Sequence, residues 1–163
     1  MIGEDYLMKL GTMENSPFGF PEPIIRQPKT TVLCYGCWDL LHYGHLIHLQ
    51  EARALGDILI IGLTADEFVN KGPGRPCFNT FQRKAMLEAL AIVDAVHICY
   101  TYGPEELIAQ IKPDFYVKGK EYKGVLKEQG MVEGYGGKVI FTFDEIASKI
   151  HSTDLIANAR KTP

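Results

Sequence analysis

The sequence predicts an α/β fold: a single domain on one doubly wound, mostly parallel, five-stranded sheet. Three observations carry this. From Thr30 onward, short β-prone runs alternate with helical stretches, the pattern of strand–helix–strand crossovers. The run Ile58-Leu59-Ile60-Ile61 is apolar at every position, as in a strand covered on both faces. A chain of 163 residues also suits one domain, and buries enough surface to stand without disulfides or structural metal.

The elements follow in order. Residues 1–29 hold Pro17, Pro21, Pro23 and Pro28 with Gly11 and Gly19, so they read as an irregular arm along the body or across to a partner subunit, or as a tail. The domain proper spans 30–163. Thr31–Tyr35 is the first strand and enters a turn at Gly36. Gly44–Leu55 is a helix, with Leu46 and Leu49 at helical spacing and Gly56 as its stop. Asp57–Leu63 is the second strand. Residues 64–78 form a Gly- and Pro-rich loop, and Asn79 or Thr80 caps a helix to about Leu90. Val93–Cys99 is the third strand, Pro104 opens a helix to Ile111, and Phe115–Val117 is the fourth strand. One helix lies within 119–137, Lys138–Phe143 is the fifth strand, and Ser152 caps a final helix to about Arg160. This is a Rossmann-like arrangement, whose ligands sit beyond the carboxyl ends of the strands near the reversal of strand order. The loops after strands one, four and five are therefore expected to carry the chemistry.

Bulk properties exclude several classes. The composition, 46% hydrophobic and 23% charged, is that of a globular protein rather than a disordered chain. The net charge of -3 and the lack of a Lys/Arg block argue against a nucleic-acid partner. The apolar run at 57–63 is too short to span a bilayer, and no signal peptide is visible, so neither a membrane nor a secreted location is expected and the cytoplasm is the default. Cys34, Cys37, Cys77 and Cys99 then read as reduced thiols.

The first loop reads Tyr35-Gly36-Cys37-Trp38-Asp39-Leu40-Leu41-His42-Tyr43-Gly44-His45. It leads from a buried strand to a helix N-terminus, whose free N–H groups and partial positive charge favour phosphate. Gly36 and Gly44 allow a nucleotide close to the backbone. His42 and His45 are three apart, so they meet on the first helical turn, where two imidazoles could hydrogen-bond charge developing on phosphate. His48 continues the spacing but is assigned to packing or surface. Three histidines on two turns do not converge from one face as zinc ligands do, so no protein metal site is expected.

This loop resembles the HxGH motif of the cytidylyltransferase-like nucleotidyltransferase superfamily. The resemblance covers about residues 30–160. It extends to Lys71-Gly72-Pro73-Gly74-Arg75-Pro76 with Gln82-Arg83, similar to the family's second phosphate-contacting loop and its Gln-Arg pair. It extends to Pro113-Asp114 and Lys118-Gly119-Lys120-Glu121-Tyr122, similar to the heptose-1-phosphate adenylyltransferases, with glycerol-3-phosphate cytidylyltransferases next. It ends in His151-Ser152-Thr153-Asp154, where the family carries a Ser-Thr-Thr-like triphosphate motif and this chain has Asp154 in place of the second threonine.

The resemblance implies a nucleotidyltransferase moving a nucleoside monophosphate from ATP or CTP to a phosphorylated sugar or polyol, with release of pyrophosphate. It implies His42, His45, Lys71 and Lys118 as catalytic groups. Tyr35, Gly36, Cys37, Trp38, Asp39, Gly44, Lys71, Arg83, Lys118, Gly119, Ser152 and Thr153 are implied as nucleotide contacts. Mg2+ would come with the triphosphate, held through water and phosphate, and related enzymes are often homodimers. For Asp39, steadying the loop is favoured over orienting a metal-bound water. Three alternatives stand beside this reading: a flavin or cofactor adenylyltransferase, a non-catalytic nucleotide-binding module, and a redox protein using Cys34 and Cys37. The last is the weaker, because a reactive CxxC opens a helix and Cys34 falls inside a strand.

Overall fold

The computed structural model describes residues 28–142 and residue 156. At its centre runs β1 (Thr31–Gly36). Val32, Leu33 and Cys34 have no exposed surface, and successive side chains of the strand enter opposite cores, as a pleat with period two requires. Val32 and Cys34 join one cluster with Leu49, Leu59, Ile61 and Leu87. Leu33 joins the other with Leu107, Ile108, Tyr116 and Val132. The first cluster lies under α1 (Tyr43–Arg53) and α2 (Thr80–Glu88), the second under α3 (Glu105–Ile111) and α4 (Gln129–Gly134). Helices on both faces make the sheet doubly wound.

The other strands are β2 (Ile58–Thr64), β3 (Ala95–Cys99), β4 (Phe115–Lys118) and β5 (Lys138–Phe141). All pairings are parallel and the order is β3-β2-β1-β4-β5. The chain builds outward from β1 through β2 to β3, then crosses back to place β4 on the other side of β1. The order therefore reverses between β1 and β4, and a cleft is expected above that junction.

The opposite edge is closed by aspartates. Asp57 and Asp114 accept from the amides of Thr30 and Thr31 at 2.9 and 2.7 Å. Asp94 accepts from the Leu59 amide at 2.7 Å and pairs with Arg53. Gly56 fits the tight entry to β2, where a Cβ would lie 2.7 Å from Val32 and 2.8 Å from the Thr30 carbonyl.

Element ends differ from the sequence expectation by a residue or two. Asn79 is the N-cap of α2, in a reciprocal capping box with Gln82. The third strand starts at Ala95 rather than Val93, because Val93 closes a turn by donating to the Leu90 carbonyl at 2.9 Å. Two short 3-10 turns were not anticipated: Asp66–Phe68 after β2 and Lys120–Tyr122 after β4. Most of the arm at 1–29 lies outside the described residues. So does the predicted final helix, except Ile156, which is helical.

Candidate active site

A cleft of about 430 Å³ opens above the carboxyl ends of the strands. Its floor is the loop after β1 and the first two turns of α1. One wall is the segment after β4, Lys118 to Tyr122, with Thr142 at the end of β5. The other wall comes from the loops after β2 and β3. Of that second wall the sequence points to Lys71, but not to the aromatic and neighbouring residues beside it. The wall contributes Phe68, Val69, Asn70, Lys71 and Tyr102, and the Phe68 and Tyr102 rings meet edge to face at 5.0 Å.

The loop after β1 holds an unusual shape. Trp38 and Leu40 both have φ of 53°, uncommon for residues with a Cβ. Two anchors hold it. The Trp38 indole N–H donates to the Gly62 carbonyl at 3.1 Å, and Trp38 is 4% exposed. Asp39 is fully buried. Its carboxylate accepts from Arg75 Nε at 2.7 Å, from the Cys77 amide at 2.9 Å and from the Phe78 amide at 3.3 Å. Burial pushes the Asp39 carboxyl up, but the Cys77 amide, Arg75 and the Phe78 amide outweigh it and hold it below the usual range. Asp39 therefore fastens the Lys71 loop to the Trp38 loop from beneath the cleft, which is the steadying role, and is not part of the lining.

His42 is the N-cap of α1, and its Nδ1 accepts from the His45 amide at 3.4 Å. That bond leaves Nε2 to carry the proton of the neutral ring. The two imidazoles stack with centroids 3.7 Å apart, and both line the cleft. Burial pulls the His45 pKa down to about 3, with His42, Lys71 and His48 adding to the fall. Both histidines thus face the cleft as an adjacent pair, and His45 is neutral at physiological pH. His45 Nδ1 has no hydrogen-bond partner among the described residues. His48 packs on Trp38 at 5.8 Å, as a packing histidine would, and in addition it lines the cleft. Its pKa is lowered to about 4 by burial and by Lys118. One helical step of three from His45 was the signal available for it.

Lys71 and Lys118 approach from opposite walls. Lys71 is exposed, on a loop where Gly72 and Gly74 take φ of 86° and 74°, a conformation glycine adopts without strain. Lys118 is 8% exposed and donates to the Tyr35 carbonyl at 3.1 Å. Gly119 leaves room for Glu121 to fold back, since a Cβ there would fall 2.2 Å from its carboxylate. Tyr35, Gly36, Cys37, Trp38, Gly44 and Gly119 all line the cleft.

Arg83, expected beside the nucleotide, is fully buried and outside the lining. Its guanidinium donates to the Phe78 carbonyl at 2.9 Å, to the Cys37 carbonyl, and to Asp66 Oδ1 at 2.6 Å. The inward face of α2 packs on the sheet, so an arginine there braces loops from behind. Ser152 and Thr153 lie outside the described residues. Cys34 is buried in mid-strand and its thiol is pushed up by burial, the reverse of an activated thiol. Among the described residues, no group of three or more His, Cys, Asp or Glu is placed to hold a metal ion. No helix among them is long and apolar enough to cross a membrane.

A family model described as cytidylyltransferase-like matches residues 33–158, which takes in every element of the cleft. The chain belongs to the cytidylyltransferase-like family. Within that family it is similar to proteins named bifunctional protein HldE. The one from Syntrophotalea carbinolica is 43% identical over 117 residues, 70% of this chain and 24% of that protein. The one from Desulfatibacillum aliphaticivorans is 39% identical over 143 residues, 85% of this chain and 29% of that protein. The chain thus spans about a quarter of the length of these relatives. Among solved structures, a lipopolysaccharide core biosynthesis protein from Thermoplasma volcanium superposes with a TM-score of 0.60 at 25% identity, covering 72% of this chain and 100% of that one. The pantoate-beta-alanine ligase of Francisella tularensis shares the fold, with a TM-score of 0.52 at 17% identity, over 84% of this chain and 71% of that one.

Proposed function

We propose that this chain is a nucleotidyltransferase that transfers a nucleoside monophosphate from ATP or CTP to a phosphorylated sugar, a heptose-1-phosphate-like acceptor being favoured. The observation that carries this is the stacked His42–His45 pair at the N-terminus of α1, between a lysine on each wall of one cleft. The similarity to the HldE proteins and the Lys118–Tyr122 segment support a sugar phosphate as acceptor.

The reaction is an in-line displacement. An oxygen of the acceptor phosphate forms a bond to the α-phosphorus. The bond from that phosphorus to the bridging oxygen breaks, and its electron pair leaves on pyrophosphate. The attacking oxygen is already ionised, so no protein base is required. Such a step depends on positioning and charge stabilisation. The imidazoles of His42 and His45 donate hydrogen bonds to the oxygens that gain charge. The helix N-terminus adds its dipole, and Lys71 and Lys118 offset phosphate charge. Ser152 and Thr153 bind the leaving pyrophosphate. Mg2+ enters on the triphosphate as part of the substrate and screens its charge. Among the described residues the cleft lining holds one carboxylate, Glu121, turned onto Gly119, which suits a metal that brings its own phosphate and water ligands.

The test is pyrophosphate release with Mg2+, pairing ATP and CTP separately with sugar, polyol and flavin phosphates. Release that needs one triphosphate and one sugar phosphate supports the reading. Release only with a flavin phosphate moves the chain to another acceptor class, and failure to bind either triphosphate sinks the proposal. His45→Ala is expected to lower kcat by a factor of about 100 to 1000, as for a lost oxyanion-type donor, with nucleotide affinity nearly kept. Loss of affinity with kcat intact would remove His45 from the chemical step.

A further inference from the structure

Lys118 carries a charge that takes part in no ion pair among the described residues. It ends β4 and is 8% exposed. The direct contacts of the ammonium are uncharged: the Tyr35 carbonyl at 3.1 Å, the Tyr122 ring with its centroid at 4.1 Å, and the Tyr35 ring at 5.6 Å, while Glu128 and Glu121 act on it from further off. The nearest carboxylate in sequence, Glu121, is folded onto Gly119. A buried cation without a counter-ion is costly, and proteins commonly pair or neutralise it. Here the ammonium lines the cleft beside Tyr122.

We propose that Tyr122 is a positioning residue: its ring and the Tyr35 carbonyl hold the Lys118 ammonium toward the cleft, so that it meets a phosphate group of the bound ligand. An ammonium has three N–H donors. The carbonyl takes one, the π face covers another side, and the remaining direction is open to phosphate. An aromatic face suits this task better than a carboxylate, because it stabilises a cation without neutralising it and without competing with phosphate oxygens. The 3-10 turn at Lys120–Tyr122 brings the ring back over the residue that ends the strand. The sequence singled out Tyr122 within the Lys118–Tyr122 segment but gave it no role. The inference rests on the phosphate chemistry proposed above, and adds the residue that aims its buried cation.

Groups from several elements face Lys118. Cys34 and Tyr35 come from β1, His48 from α1, Glu121 and Tyr122 from the turn after β4, and Glu128 from the start of α4. Burial lowers the Lys118 pKa, while Glu128, Cys34 and Glu121 act in the other direction.

The experiment compares wild type, Tyr122→Met and Tyr122→Phe in the full chain. Methionine keeps much of the bulk and apolar cover but has no π face, whereas phenylalanine keeps the ring. Two quantities are read: inorganic pyrophosphate affinity by calorimetry, and the titration midpoint of Lys118 Nζ by NMR of labelled lysine. Y122M is expected to weaken pyrophosphate about tenfold and lower the midpoint by about one unit, as for a desolvated cation–π contact. Y122F is expected to restore both. Tyr122→Leu replaces the methionine variant if that one does not fold. Unchanged values in Y122M overturn the proposal. A Y122F as impaired as Y122M does the same, since the hydroxyl rather than the ring would then matter. A wild-type protein that binds no pyrophosphate also overturns it. Absence of nucleotidyl transfer in the wild type, with these binding and titration differences intact, would instead count against the proposed reaction.

Discussion

Asp39→Asn tests the claim that one buried carboxylate ties the Lys71 loop to the floor of the cleft. The substitution is nearly isosteric, so no cavity complicates it. Asp39 is fully buried, and Arg75 is 7% exposed at its side chain. An asparagine keeps one acceptor oxygen, but its amide group turns N–H donors toward a set of partners that are themselves donors: Arg75 Nε, the Cys77 amide and the Phe78 amide. Breaking a buried pair by removing one charge costs about 3–5 kcal/mol. At about 3 kcal/mol, the melting temperature of a domain of this size falls by roughly 6–12 °C. Urea unfolding can be followed through Trp38, the only tryptophan, which sits in the same loop. A lowered midpoint with unchanged slope is the expected result, together with faster tryptic cleavage after Lys71, which Gly72 follows. The sign with pH is fixed by the lowered Asp39 pKa. Its stabilisation is full above the ordinary carboxylate range and fades as pH falls through the lower folded value. Wild type and variant should therefore converge in acid. A variant within about 0.5 kcal/mol of wild type, with unchanged cleavage, refutes the tether.

Arg83→Met is expected to lose about 3 kcal/mol of stability with little change in triphosphate affinity, measured by urea unfolding and nucleotide titration. Lost affinity at unchanged stability would return Arg83 to the ligand. The histidines predict an acid limit. Burial holds His45 near about 3 and His48 near about 4, against 6.5 unfolded. A depressed folded pKa gives stability that is complete above about 6.5 and declines as pH falls toward 4. The urea midpoint should drop over that window, and His48→Gln should flatten the decline. An equal decline in that variant assigns the effect to other groups.

The sheet was legible because its strands are continuous apolar runs and its helices carry local stop and cap signals such as Gly56 and Asn79. The strand order was less so. The reversal between β1 and β4 arises from a long crossover, which no local pattern records, and it decides which loops share the cleft. Phe68 and Tyr102, on the loops after β2 and β3, were missed because the expectation rested on the loops after strands one, four and five, while the spacing of His42 and His45 brought that pair out directly. Arg83 and Asp39 are harder in kind. Each is a charged residue near a glycine-rich loop, and only the burial of its helix face or loop separates a brace from a ligand contact. His48 was legible as a packing residue, but not its second place in the cleft lining, which depends on how deep the first turns of α1 sit in the cleft.

The guanidinium of Arg83 touches three stretches of chain at once: the carbonyl of Cys37 after β1, Asp66 after β2, and the carbonyl of Phe78 before α2. These stretches are consequently not independent modules. A graft that moves the histidine loop alone into another scaffold would leave the Cys37 carbonyl without its donor. The smallest transplantable unit of this cleft runs from β1 through α2. Substitutions on the concealed side of α2 can thus retune the floor of the cleft without touching anything that a ligand meets.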